Sequence, residues 1–426
     1  MSAEHAATAA ALADEITARL TEPNDMTKGL ESGSTSPGML VSLGRGHSGI
    51  ALLHLARGLV DPNAITTAHC FLQRAREGLT RQELRQSGIY GPLEGLGFAL
   101  ELTYRATGDY ASALTTLDAM ISRRVCAMAA TLRADPIGSV MRFDVISGIS
   151  GIGRYLLLRQ RRTDLEAVLD ALVVMTALRP YRNNSRVPGF WSSTPPISQF
   201  APPNQDWSAG HLNLGLAHGV AGPLALMALA AIEGCEVEGQ RAAIEELAEL
   251  LLSQLAKDEY GQYWPPYISL AQWQGRASTG RRGRSAWCYG TPGIARALQL
   301  AATALESTHL RTSAENAIAG MLDTPPAHWQ SEHWSICHGE AGILHLLSFF
   351  EKSRIGTQVS KVRNHVAQRI ISRFADNIPT FRVTHPDAPH TDVAGYLEGA
   401  AGLALALDSY AGRTQAVAWD TALLVN

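Results

Sequence analysis

Seven times along the chain a glycine-containing turn runs into an apolar helix, and a repeat of that kind constrains the architecture more than any single segment does. The copies are GHSGIALLHLA from Gly46, LEGLGFALEL from Leu93, SGISGIGRYLL from Ser147, HGVAGPLALMALA from His218, YGTPGIARALQLA from Tyr289, HGEAGILHLL from His338 and EGAAGLALAL from Glu398. Their second glycines fall at Gly49, Gly97, Gly151, Gly222, Gly293, Gly342 and Gly402. The spacing is too wide for one helix per copy. Each interval also holds a mixed amphipathic stretch, such as Ala242 to Leu255 with Glu245, Glu246 and Glu249 on one face, so the unit is a helix pair. The opening helix is apolar almost all round, as in Pro223 to Ala231, and its partner is charged on one side, which separates inner from outer helices. Seven pairs in sequence, with inner helices that need burial on every side, predict an all-α fold. It closes into an α/α toroid of seven inner and seven outer helices, with residues 1–426 as one domain. The glycines are expected to allow turns with φ > 0 and a close approach of helices at one rim. In the second copy Gly95 and Gly97 stand too close together for the common pattern.

Two intervals are longer than the rest and are read as loop insertions. One, at about 180–211, holds Pro188, Trp191, Pro195, Pro196, Pro202, Pro203 and Trp207. The other, at about 259–284, combines Tyr260, Tyr263, Trp264, Pro265, Pro266, Tyr267 and Trp273 with Arg276, Arg281, Arg282 and Arg284. Aromatic-rich loops at a cavity suit an extended peptide substrate, and packing of the same rings is the alternative.

Composition narrows the partners. Hydrophobic residues make up 46% and charged residues 18%, ample for a large core. A formal net charge of -3 with mixed signs offers no basic field for a phosphate backbone, which excludes nucleic acid as the expected partner. The stretch from Met1 to Leu20 carries Glu4, Asp14, Glu15 and Arg19 in an Ala-rich run, unlike a signal peptide, and no apolar run is long enough to cross a bilayer. A cytoplasmic location follows, with peripheral association to a membrane assembly compatible. The five cysteines, Cys70, Cys126, Cys235, Cys288 and Cys337, are few and odd in number, which favours buried thiols or metal ligation over disulfides.

Chemistry is expected where the repeats are decorated differently from one another. His218 precedes the fourth turn, Cys288 the fifth, and Cys337 with His338 the sixth. In a toroid, equivalent positions share one rim. Cys288, Cys337 and His338 then offer two thiolates and an imidazole to one zinc ion, with the fourth tetrahedral position open. Neighbouring residues diverge by about 100° on a helix, so Cys337 and His338 share a metal only from the turn before it. Taken by spacing alone, a buried inert cysteine beside a helix-capping histidine is the alternative. Two thiolates leave zinc a weak Lewis acid towards water and a good carrier of a further thiolate, which favours thiol activation over hydrolysis.

GHLNLGLAHGVAGPLAL at Gly210 to Leu226, SAWCYGTPGIARAL at Ser285 to Leu298 and SICHGEAGI at Ser335 to Ile343 resemble the lanthipeptide cyclases, the LanC family. The resemblance runs over nearly the whole chain, with the AHG, WCYG and CHG elements in order at the right repeats. It implies the toroid fold, zinc ligation by Cys288, Cys337 and His338, and functional roles for His218, Asp144, Arg284 and Tyr289. The implied reaction adds precursor-peptide cysteine thiols to dehydroalanine or dehydrobutyrine, closing thioether rings. For its steps, His218 is assigned as the acid that protonates the enolate, Arg284 as the group that holds the enolate oxygen, and Asp144 as the group that orients either one. A helix N-cap for Asp144 and wall packing for Tyr289 stand beside those roles; His47 and Glu94 are expected to be satisfied polar groups without chemistry, and His211, His333 and His345 to be structural or surface residues rather than ligands. The implied partners are a dehydrated precursor peptide with its leader, a separate dehydratase, for which the chain is too short to hold a fused domain, and a transporter. The same zinc site occurs in proteins that look like LanC and are associated with adding glutathione to dehydroamino acids; that is the alternative activity. A non-catalytic scaffold stabilised by the zinc is the third reading.

Overall fold

The computed structural model describes residues 3–23, 37–80, 83–196, 205–278, 280–331, 333–374, 393–413 and 415–426; Pro202 and Pro203 lie outside them. The chain divides into two compact units, Met1–Ala119 with Ser331–Thr421 and Met120–Gln330 with Ala422–Asn426.

All seven glycine turns open helices. In the first unit these are His47–Ala56, Pro92–Thr107, Glu340–Leu347 and Ala400–Tyr410, and in the second Ile149–Leu158, Ala221–Ile232 and Thr291–Ala304. Every residue from Ala221 to Ala230 is buried, as the absence of any polar stripe requires. Successive openers pack on one another: in the second unit Ala221–Ile232 lies between Ile149–Leu158 and Thr291–Ala304. Their partners bury one face each. In Gln240–Ser253 that face is Gln240, Ala243, Ile244, Leu247, Ala248 and Leu251, spaced for an amphipathic helix on a core.

Six openers are followed in the chain by a long amphipathic helix, at Pro62–Gly78, Ala111–Ala134, Arg162–Thr176, Gln240–Ser253, Thr308–Asp323 and Gly356–Phe374. The seventh pair departs from the expected sequential order. Ala400–Tyr410 packs against Ala3–Arg19, the N-terminal helix, so this pair is made from the two ends of the first unit's sequence. Charge fastens the junction: Arg57 Nε and Nη2 grip both oxygens of buried Asp408 at 2.8 and 2.9 Å, while Arg57 and Arg413 both reach Asp14. A fork of two parallel bonds gives such a pair geometry as well as energy.

The second glycines serve close approach rather than positive φ. A Cβ on Gly402 would meet the Tyr396 carbonyl oxygen at 1.9 Å, and one on Gly342 the Ile336 carbonyl at 2.0 Å. Gly49, Gly222 and Gly293 stand in the same relation to the carbonyls of Leu43, Leu216 and Trp287. In the second copy the equivalent residue is Gly95, set against the Ile89 carbonyl, and not Gly97. Positive φ occurs within the turns at Gly290, at 83°. The backbone also links neighbouring turns: Val145 N–H donates to Ala217 O at 3.0 Å and Ala217 N–H to Cys288 O at 3.3 Å in the second unit. In the first, Cys337 N–H donates to Leu397 O at 2.9 Å and Leu397 N–H to Gly44 O at 2.8 Å.

Short strands lie within the two insertions and at their edges. Leu178–Pro180 pairs with Arg186–Pro188, Ala256–Asp258 with Gly261–Tyr263, and His211–Asn213 with Tyr267–Ser269, all antiparallel. The last pair joins one insertion to the other. Several of their aromatic rings pack inward: Trp191 and Trp264 are buried, their indole N–H groups donating to the Ala209 and Leu251 carbonyls. Arg282 lies 4.7 Å from the Tyr263 ring centroid and pairs with Asp258, whereas Tyr260 is exposed and stacks on His328.

The carbonyl contact is testable against a glycine that lacks one. Gly402→Ala is expected to cost about 1–3 kcal/mol, as overpacking does. Gly320→Ala, in the helix Thr308–Asp323 with nothing nearer its added Cβ than 3.9 Å, should stabilise by about 0.4–1 kcal/mol. Urea unfolding of the two variants checks the opposite signs.

Candidate functional site

The turns that precede the buried helices carry the reactive side chains. Asp144, His218 and Cys288 all stand in the second unit, just before the helices that start at Ile149, Ala221 and Thr291. The N–H ladder from Val145 to Ala217 to Cys288 sets these turns side by side, so residues distant in sequence are neighbours because their backbones are bonded.

Asp144 has two tasks. Its Oδ1 accepts the Ser147 and Gly148 N–H groups at 2.7 and 2.8 Å, closing the turn ahead of the helix. Its Oδ2 accepts from His218 Nδ1 at 2.6 Å. Asp144 is not the helix N-cap, a place that Gly148 takes without a side-chain cap; its turn-closing bonds and its bond to His218 use different oxygens of one fully buried carboxylate. With Nδ1 committed, His218 keeps Nε2 as its free edge. Burial lowers the pKa of this half-buried imidazole, but the hydrogen bond and charge of Asp144, joined by Cys288, outweigh burial and raise it above its ordinary value. The carboxylate behind the ring thus favours its protonated form.

Tyr289 follows Cys288, its ring centroid 6.4 Å from that of His218 and 5.7 Å from that of Tyr267. Gly215 makes room for it, since a Cβ there would strike the Cys288 carbonyl at 2.5 Å and the Tyr289 ring at 2.6 Å. The Tyr289 hydroxyl accepts from Asn213 Nδ2 at 3.1 Å and from the Tyr267 hydroxyl at 3.3 Å. Burial, reinforced by Tyr267, pushes its pKa well above the usual value. Arg284 is half-buried, and its charge reaches Tyr267, where it opposes the upward push of burial. Asn213 and Tyr267 were not singled out from sequence. The only signal for them was position, Asn213 within GHLNLGLAHG and Tyr267 within an aromatic run.

In the first unit Cys337 and His338 sit on the turn before Glu340–Leu347, the placement two adjacent ligands need. Ser335 Oγ accepts the His338 N–H at 3.3 Å, and the rings of His333 and His338 lie 4.8 Å apart. Cys337 and His338 in this unit, and Cys288 in the second, are side chains of the kinds that hold a metal ion. His345 is buried and bonds Asp420 through Nε2 at 2.9 Å. His211 is buried, with Nδ1 3.0 Å from the Thr194 carbonyl. His47 and Glu94 are buried as well, and the His47 Nδ1 makes no hydrogen bond.

Residues 39–424 match the model of the lanthionine synthetase C-like proteins. The chain belongs to that family. The nisin biosynthesis protein NisC of Lactococcus lactis subsp. lactis is 25% identical over 292 residues, 66% of this chain and 64% of that protein. The matched stretch is thus less than two thirds of the relative's length. The solved structure of a nisin cyclase aligns with a TM-score of 0.75 at 21% identity, covering 94% of this chain and 96% of that one. At that identity the likeness establishes the fold class, all-α and an α/α toroid. No helix among the described residues is long and apolar enough to cross a membrane.

Burial pushes both His47 and His211 down to about 4, helped at His47 by the charge of Arg74 and opposed at His211 by the Thr194 carbonyl. A ring that resists protonation when folded and accepts it at 6.5 when unfolded adds stability above pH 6.5, and that stability is lost as pH falls from 6.5 towards 4. At about 1.4 kcal/mol per pH unit, His211 accounts for about 3 kcal/mol. The advantage of the wild type over His211→Gln in denaturant unfolding is therefore expected to shrink by about that amount between pH 7 and pH 4. An advantage that stays constant contradicts this assignment.

Proposed function

We propose that this protein is a zinc-dependent lanthipeptide cyclase, acting as one catalytic domain on a dehydrated precursor peptide with its leader, supplied by a separate dehydratase and passed on to a transporter. The observation that carries the reading is the family match over residues 39–424 together with the placement of reactive side chains on the turns before the buried helices. Cys288, Cys337 and His338 would hold the metal. Two thiols and an imidazole fit zinc, because soft sulfur donors select it over magnesium or manganese, and three protein ligands leave a fourth position for a substrate. When bound, zinc supplies the positive charge that keeps a peptide thiol deprotonated at neutral pH.

The remaining work falls to the chain's own residues. Addition of a thiolate to the β-carbon of a dehydroamino acid pushes the electron pair of the double bond onto the carbonyl as an enolate. That enolate needs a positive or hydrogen-bonding partner at oxygen and a proton at the α-carbon. Arg284 is proposed at the oxygen. His218 is proposed as the acid, and the buried Asp144 carboxylate behind it both fixes the ring and stabilises the cation from which the proton leaves. Tyr289, beside Cys288 and His218, completes the wall on which the dehydroamino acid lies. The insertions at about 180–211 and 259–284 flank this wall, and their strand pair His211–Asn213 with Tyr267–Ser269 is what brings them to it.

The test counts free thiols during incubation with a dehydrated precursor peptide, alongside metal content. The wild type is expected to carry about one zinc per chain, as single catalytic sites do, and to consume thiols while forming intramolecular thioethers. Cys288→Ala is expected to lose both. His218→Asn should keep the zinc and lose about a hundredfold or more in rate, the usual contribution of a positioned acid. Zinc without ring closure, but with uptake of added glutathione, would replace the cyclase reading with the glutathione-adding one.

A further inference from the structure

The hydrogen bonds around Tyr289 leave its hydroxyl one thing to do. A phenol offers one O–H and accepts through oxygen. The Tyr289 oxygen already accepts from Asn213 Nδ2 at 3.1 Å and from Tyr267 at 3.3 Å. The direction of the first bond follows from the amide itself: Asn213 Oδ1 accepts the Gly215 N–H at 3.0 Å, so the NH2 group must face Tyr289. With its acceptor capacity filled, Tyr289 has only its proton left to share.

Both donors come from one place. Asn213 and Tyr267 are register partners across the strand pair that ties the two insertions together. Both are buried. The Asn213 carbonyl accepts the Val220 N–H at 2.9 Å, anchoring the strand to the turn that carries His218. The strand pair, with Leu212 and Ile268 buried in the core, thus delivers two hydrogen-bond donors to one hydroxyl.

We infer that Asn213 and Tyr267 are positioning residues that hold Tyr289 as an obligate hydrogen-bond donor to the carbonyl oxygen of the dehydroamino acid, where the enolate charge develops. The inference rests on the cyclase reading and adds to it the role of Tyr289 and of the strand pair. No bond to Tyr289 is made or broken; its O–H strengthens a contact as charge builds on the substrate oxygen and releases it when the α-carbon is protonated. Donors placed at developing charge lower the barrier without tightening ground-state binding in proportion.

Asn213→Asp tests the direction. A carboxylate keeps the shape and the bond from Gly215, but it draws the Tyr289 proton inward. The rate of ring closure is expected to fall by about tenfold to a hundredfold, the scale of one lost donor at developing charge, with KM and zinc content little changed. Tyr267→Phe removes a single hydroxyl and serves if the aspartate variant folds poorly; its fall in kcat should be smaller, again with KM held. Tyr289→Phe should lose about as much as Asn213→Asp, and the double variant no more than Tyr289→Phe alone. A fluorine label on the Tyr289 ring gives a readout independent of turnover, and its resonance should move in both Asn213→Asp and Tyr267→Phe. A wild type that leaves thiols untouched removes the cyclase reading itself. An active wild type matched in kcat by Asn213→Asp, losses that multiply in the double variant, or a resonance that stays put overturns the positioning role alone.

Discussion

A carbonyl oxygen pressed against the α-carbon of a glycine, at the head of one buried helix after another, is the contact on which this molecule is built. At Gly402 and Gly342 the space for a Cβ is already filled by the Tyr396 and Ile336 carbonyls. The helix can begin so tightly against its own turn because the side chain is missing. The turns in turn bond to one another through backbone N–H groups, from Val145 to Ala217 to Cys288 and from Cys337 to Leu397 to Gly44. A reactive side chain placed on such a turn inherits a neighbour from the next repeat. Positions about seventy residues apart, Asp144 and His218, therefore share a 2.6 Å hydrogen bond.

That bond shows how one buried charge supports structure and site together. Asp144 is fully enclosed, an arrangement that is costly for a carboxylate unless hydrogen bonds replace its lost water. Two backbone N–H groups satisfy one oxygen and His218 the other. Removing the charge would loosen the turn at the same time as it released the imidazole. The same economy appears at the far end of the inner helices in the first unit, where Asp408 is held by Arg57 and Arg413 and the terminal helices are joined by the bridge to Asp14.

The insertions follow different rules from the repeat. Their prolines and aromatic residues break helical periodicity, which marks them as irregular, but nothing in that pattern specifies strand pairing. Three-residue strands are too short for alternation to register, and in the pair His211–Asn213 with Tyr267–Ser269 the partners also lie more than fifty residues apart. Asn213 escaped notice for that reason, and Tyr267 was read only as one ring of an aromatic run. Packing claims several of the aromatics that composition would have offered to a substrate: Trp191 and Trp264 are buried, with their indole N–H groups already bonded to backbone.

The sequence by itself determined the helical class, the seven openers and the position of Cys288, His218, Cys337 and His338 on the turns, because a glycine turn and an apolar run are local patterns that repeat. It also placed the charged faces of the partner helices, since amphipathic spacing is a property of a dozen consecutive residues. Tertiary structure alone decided that Ala3–Arg19 completes the last helix pair, that Gly95 rather than Gly97 takes the close contact, and that Asp144 serves a turn and an imidazole at once. It also decided that two insertions meet as strands over Tyr289. The helix pair, the bond from Asp144 to His218 and the strand pair join segments far apart in the chain, and the Gly95 contact depends on how its turn closes. Each is selected by space and by hydrogen bonds in the folded molecule, and none is visible in the order of residues.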